Sequence, residues 1–163
     1  MFKEIYLFEL RYRFSRPATW AYFGILFVFG LIMTISGNGP ASEKAFVNSP
    51  AGIAGLLTLV SIFGMMLASA VMGVPVYRDI EHGTENYFFS YPINEKGYLL
   101  GRFAGSMTVL FLISLGMHLG MMIGFALGPY MGFEEPERYT SFNFWYYLQP
   151  TLMIYWTNFF FAG

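Results

Sequence analysis

The sequence predicts an all-α protein, a polytopic membrane helix bundle, and three observations carry that prediction. Only 12% of the 163 residues are charged, whereas 56% are hydrophobic and 21% aromatic; soluble domains carry about 25% charged residues. The charges avoid four long runs: Pro17 to Ser42, Ala45 to Tyr77, Phe103 to Phe133, and Tyr139 to the end. Each run is longer than the ~20 apolar residues that a helix needs to cross the hydrocarbon of a bilayer. Membrane spans are therefore predicted at about 18–36, 53–76, 103–127 and 147–163.

The first 16 residues, "MFKEIYLFELRYRFSR", are predicted to form an N-terminal interfacial helix. Its charges do not gather on one face, so a plain extension of the first span reads equally well. Pro17 suits a bend before the span, because proline fits the first turn of a helix and not its interior. The basic front of this region is what a signal peptide would show. The apolar core behind it exceeds the ~7–15 residues of a signal, and three further spans follow, so an uncleaved first helix is expected.

Orientation follows from the basic residues. With the N-terminus inside, the inner segments hold Lys3, Arg11, Arg13, Arg16, Arg78, Lys96 and Arg102, and the outer ones only Lys44 and Arg138. Such a bias predicts a cytoplasmic N-terminus. The first outer loop, "GNGPASEKAFVNSP", is made of turn formers. The second carries Glu134, Glu135 and Glu137, read as a solvated loop because nothing completes a cation ligand set. Phe142, Phe144, Trp145, Tyr146 and Tyr147 follow and read as an interfacial aromatic belt opening the fourth span.

The third span holds Gly116, Gly120, Gly124 and Gly128 at intervals of four. On a helix these form a stripe without side chains, which lets a neighbouring helix approach closely in lipid. Packing within one subunit is the plain reading, and a dimer seam or a moving seam of a transport pathway the sharper one. His118 is the one ionisable residue inside a span, and such groups are functional candidates by default. Ser114 lies one turn earlier, at a spacing that allows a Ser–His hydrogen bond.

Several chemistries are excluded or unsupported. Net charge is −1, so nothing draws nucleic acid electrostatically. There is no cysteine for a disulfide, a thiolate metal site or a nucleophile. "HExxH" and "GxxxxGK[ST]" are both missing, and no span carries an aspartate. No catalytic, cofactor-binding or metal-binding residue is predicted, and the chain is not expected to be an enzyme.

Between the second and third spans lies "YRDIEHGTENYFFSYPINEKGYLLGRF", where charge returns among aromatics. Gly83 and Pro92 interrupt the helical pattern, leaving "TENYFFSY" as a short element. Tyr87, Phe88 and Tyr91 fall on one broad face, which suits a groove on a protein partner. Asn94 is placed to cap the third span's helix. The order Glu81, Gly83, Thr84, Glu85, then Pro92 and Ile93, then Gly101 and Arg102, after a basic N-terminal helix and two spans, resembles the permease subunit of a type-2 ABC exporter.

The resemblance implies that residues 77–97 form a cytoplasmic coupling helix. It further implies that Glu81, His82, Gly83, Thr84, Glu85, Tyr87, Phe88, Tyr91 and Pro92 dock on a separate ATP-binding subunit. ATP and Mg would sit on that subunit. A second permease half, as homodimer or heterodimer, would complete the pathway in a bacterial inner membrane. The start, "MFKEIYLFELRYRFSRPATWAYFG", is also similar to bacterial permeases that continue into an aminopeptidase-like domain, whose zinc motif does not occur here. Such permeases usually have six spans, so residues 1–163 are expected to be the N-terminal part of one transmembrane permease domain. Two other readings come from different classes: an ion-coupled secondary transporter using His118, and a membrane scaffold whose loop recruits a cytoplasmic partner.

Overall fold

Charge-free stretches of this length fold as helices because a helix satisfies all its backbone groups internally, which hydrocarbon demands. A computed structural model of the chain describes residues 2–37, 45–81, 83 and 94–162. Within them lie α1 (Phe2–Phe14), α2 (Pro17–Ile35), α3 (Pro50–Glu81), α4 (Glu95–Met131) and a 3-10 turn at Pro136–Arg138. A last helix, 145–162, has three consecutive parts: α5 (Trp145–Pro150), a π-helical stretch (Thr151–Trp156) and α6 (Thr157–Ala162). Among the described residues all regular structure is helical.

Three helices are long and apolar enough to cross a membrane: α2, Pro50–Val74 of α3, and α4. Residues 145–162, where the fourth span is predicted, are helical and divided by the π-helical stretch, so among the described residues three continuous helices of spanning length are found. Helices α3 and α4 also outrun the predicted spans 53–76 and 103–127. A helix needs hydrogen bonds and not apolarity, so it continues through the polar turns at 77–81 and 95–102.

The helix ends follow local chemistry. Arg16 is extended (φ −87°, ψ 126°) and Pro17 opens α2, which breaks α1 from α2. Thr19 Oγ1 and the Trp20 indole N–H donate to the Arg13 and Phe14 carbonyls at 2.8 and 3.0 Å. They satisfy main-chain acceptors that the end of α1 would otherwise leave open. The Asn94 side chain accepts from the Gly97 N–H at 3.1 Å, capping α4, and Gly132 ends α4 at φ +73°.

Helix α4 is the hub. Helix α2 runs along it over the longest contact, α1 packs on its first half, and the last helix packs along α3. Ile53 and Leu57 of α3 and Leu110, Met117 and Met121 of α4 belong to one buried apolar core. At the far end two loops are joined by Asn48, whose side chain donates to the Thr140 carbonyl (2.7 Å) and accepts from the Thr140 N–H (2.8 Å). The aromatic row 142–147 does not lie on one surface. Phe142, Phe144 and Trp145 are exposed, whereas Tyr147 is buried with its ring 6.3 Å from that of Phe125.

Candidate functional site

The sequence marks three places for function, and the structure treats each differently. Of the docking segment, Glu81 ends α3 and is exposed, and Gly83 follows at φ +59°, a conformation that favours glycine. His82, Thr84, Glu85, Tyr87, Phe88, Tyr91 and Pro92 lie outside the described residues.

The glycine stripe faces α2 of the same chain. A Cβ on Gly116 would stand 2.5 Å from the Phe23 carbonyl oxygen, one on Gly120 would overlap the Phe27 carbonyl oxygen, and one on Gly124 would overlap the Thr34 hydroxyl. Gly30 answers from α2, where a Cβ would lie 2.6 Å from the Met117 carbonyl oxygen. Gly128 is covered by the Tyr139 hydroxyl instead, at 2.5 Å. The stripe also begins earlier than predicted: Gly101 and Gly105 receive α1, with added Cβ atoms 3.1 Å from Ile5 and 2.9 Å from Glu9.

On the other side of α4, His118 is buried between α4 and the last helix. Nδ1 lies 2.8 Å from the main-chain carbonyl of Ser114, not from its hydroxyl as the spacing suggested. A carbonyl only accepts, so Nδ1 carries a proton. Nε2 lies 2.7 Å from Thr151 Oγ1, which is also 2.6 Å from the Tyr147 carbonyl oxygen.

The threonine has one proton for two acceptors. With a neutral imidazole it donates to Nε2; with an imidazolium, Nε2–H donates to Oγ1 and the hydroxyl turns to Tyr147. The two states differ by one proton and a hydroxyl rotation, with no shift of the ring needed. The Ser114 hydroxyl donates to the Phe111 carbonyl at 2.7 Å and accepts weakly from the Trp156 indole at 3.4 Å. Below them Asn158 donates to Ser61 Oγ of α3 at 2.9 Å. The π-helical stretch begins at Thr151 itself, and π-helical turns recur at functional sites.

A further buried polar cluster was not predicted. Arg13 of α1 donates through Nε to Glu9 Oε1 at 2.8 Å, and through one terminal nitrogen to the Val71 carbonyl (2.9 Å) and to Ser106 Oγ (3.0 Å). Both residues are buried. Arg13, held by Glu9 within α1, thus ties α1 to α3 through Val71 and to α4 through Ser106. The sequence held one signal for it: Glu9 and Arg13 are four apart, on a helix whose charges lie on every side, which is how a helix with two charged faces reads. No group of three or more metal-ligating side chains occurs among the described residues.

Compared with family models, with curated proteins and with solved structures, the chain has no match in any of the three.

Proposed function

We propose that this chain is the membrane-spanning permease part of an ATP-driven exporter of the type-2 ABC kind, with its N-terminus and residues 77–97 in the cytoplasm of a bacterial cell. The observation that carries the reading is the sequence of the link between α3 and α4, Glu81-x-Gly83-Thr84-Glu85 through Pro92-Ile93 to Gly101-Arg102. Two helices that outrun their apolar cores lead into and out of that link. Helix α1 is anchored to the same two helices by hydrogen bonds from its buried Arg13. A push delivered to the link by a partner would therefore reach α1, α3 and α4 together.

In this reading the link carries charge because water solvates it, and carries Tyr87, Phe88 and Tyr91 because a groove on the ATP-binding subunit buries them. Burying an aromatic side chain stabilises by roughly 1.5–3 kcal/mol, and 1.4 kcal/mol is about tenfold in affinity. The test is co-purification of the tagged full chain with an ATP-binding subunit of this transporter class from its native membrane. Tyr87→Ala with Phe88→Ala is expected to abolish the association while membrane insertion stays intact. Association of the double variant at the parent level overturns the assignment.

A further inference from the structure

Helices α2 and α3 scarcely touch each other, and α1 likewise makes little contact with α3. A cleft of about 260 Å³ lies between them. Its inner walls are apolar, formed by Ala70, Val71 and Val74 of α3 over Val109 and Ile113 of α4. Its end is closed by Tyr12 and Arg13 of α1 and by Arg16 at the break before α2. The cleft adjoins a wider hollow of about 600 Å³ that shares Tyr12, Arg16, Ala70 and Val74 and has Tyr77 and Glu81 on its outer rim. Together they have the size and lining of a site for a small amphiphile.

The polar groups at the closed end are not equivalent. The Arg13 fork is committed to Glu9, Val71 and Ser106, and the Thr19 hydroxyl to the Arg13 carbonyl. Arg16 is different. Its guanidinium lies 4.6 Å over the Tyr12 ring and donates to the Tyr12 hydroxyl, and no carboxylate pairs with it among the described residues. Arg11 stands beside it along a shallower hollow on the outer side of α1. The cleft thus presents a cation at its polar end and hydrocarbon within.

The depth of this arrangement decides what fits. Arg16 immediately precedes the apolar run of α2, which begins at Pro17, and the charge-free run of α3 ends at Tyr77, just before Arg78. Both mark one boundary between hydrocarbon and headgroup. We propose that the cleft is a phospholipid-binding site, with one acyl chain against Val71, Val109 and Ile113 and the phosphate on the Arg16 guanidinium. A planar guanidinium suits a phosphate because it can donate two parallel bonds. Glu81, on the far rim, opposes a head with net negative charge and complements one that carries an amine. The preferred lipid is therefore an amine-bearing glycerophospholipid. The inference is independent of whether the chain works with an ATPase.

The experiment is native mass spectrometry of the full chain in detergent, titrated with dioleoyl phosphatidylethanolamine, dioleoyl phosphatidylglycerol or oleate. One saturable phosphatidylethanolamine per chain is expected, with oleate and phosphatidylglycerol bound at least about tenfold more weakly. Arg16→Gln should weaken binding about tenfold, and Ala70→Trp, which fills the inner cleft, should abolish the saturable component. Both positions are exposed, so the variants should melt with the parent; should Ala70→Trp fail to fold, Val74→Trp on the same wall replaces it. Parent-like binding by both variants, or uptake of lipid without saturation, overturns the site. Equal binding of oleate overturns phosphate recognition, and equal binding of phosphatidylglycerol overturns the role of Glu81.

Discussion

Helix α4 is held by two faces that use opposite physics. Toward α2 the contact is main chain to main chain, with Gly116, Gly120 and Gly124 opposite carbonyls of α2 and Gly30 opposite Met117. Toward the last helix the contact is side chain to side chain: His118 to Thr151, Trp156 to Ser114, and the Phe111 and Trp156 rings 4.7 Å apart. In lipid no hydrophobic effect drives helices together, so a bundle relies on close dispersion contacts and on interhelical hydrogen bonds. The first kind depends on steep repulsion and tolerates no added atom. The second is made of a few bonds that exchange partners by rotation. One side of α4 is therefore built to stay and the other is able to rearrange.

The largest expected effect lies on the glycine face. Gly120→Leu places a side chain into the Phe27 carbonyl, and a main chain cannot yield as a flexible side chain can. The variant should fail to give a monodisperse folded protein in detergent. Gly24→Leu is the control, since a Cβ there meets nothing within 4 Å; it should melt close to the parent. Equal behaviour of the two variants would erase the distinction between the faces.

The polar face should yield far less. Thr151→Val removes the hydroxyl shared by His118 and Tyr147 and should cost about 0.6–1.7 kcal/mol, the range for interhelical hydrogen bonds in membranes. A double-mutant cycle with His118→Ala, read by thermal or denaturant unfolding, isolates the pair. A coupling as large as the Gly120→Leu loss would mean that this face is as rigid as the other.

Tyr139 over Gly128 sharpens the comparison at the end of the stripe. Its buried hydroxyl has no hydrogen-bond partner among the described residues, so Tyr139→Phe should change stability at neutral pH by no more than about 0.5 kcal/mol. Burial first, and then Glu134, raise the phenol's pKa, against the opposing pull of Arg138. Because the folded value is raised above the ordinary value near 10, the group's contribution is complete below that pH. It is lost as pH rises through the folded value. Tyr139→Phe should remove that alkaline loss, measured as a smaller fall in melting temperature above about pH 10.

The two faces were unequally legible in the sequence. Glycines at intervals of four announce a close contact whatever the partner, because a missing side chain says the same thing in any context. The charge-free runs likewise located α2, α3 and α4, and Asn94 announced its own cap. His118 stood out as an ionisable residue in a span, but its partner Thr151 did not, since a threonine in a membrane helix usually bonds its own backbone. Glu9 and Arg13 were hidden for the same reason: an i, i+4 pair normally lies in water, and only the fold shows that Gly101 and Gly105 let α1 settle deep enough to bury it. The separation of α2 from α3 could not be read at all, because no residue pattern marks a contact that is not made.

The π-helical stretch changes what a sequence periodicity means in the last helix. Thr151 and Asn158 are seven apart, and at 3.6 residues per turn they would share a face. In the structure Thr151 meets α4 and Asn158 meets α3. Each i→i+5 bond encloses one more residue than an α-helical bond, so six residues of this winding turn the second half of the helix out of phase with the first. The same helix thereby aims Thr151 at α4 and Asn158 at α3, and losing a single residue within 151–156 would swing Asn158 away from Ser61 while leaving Thr151 in place.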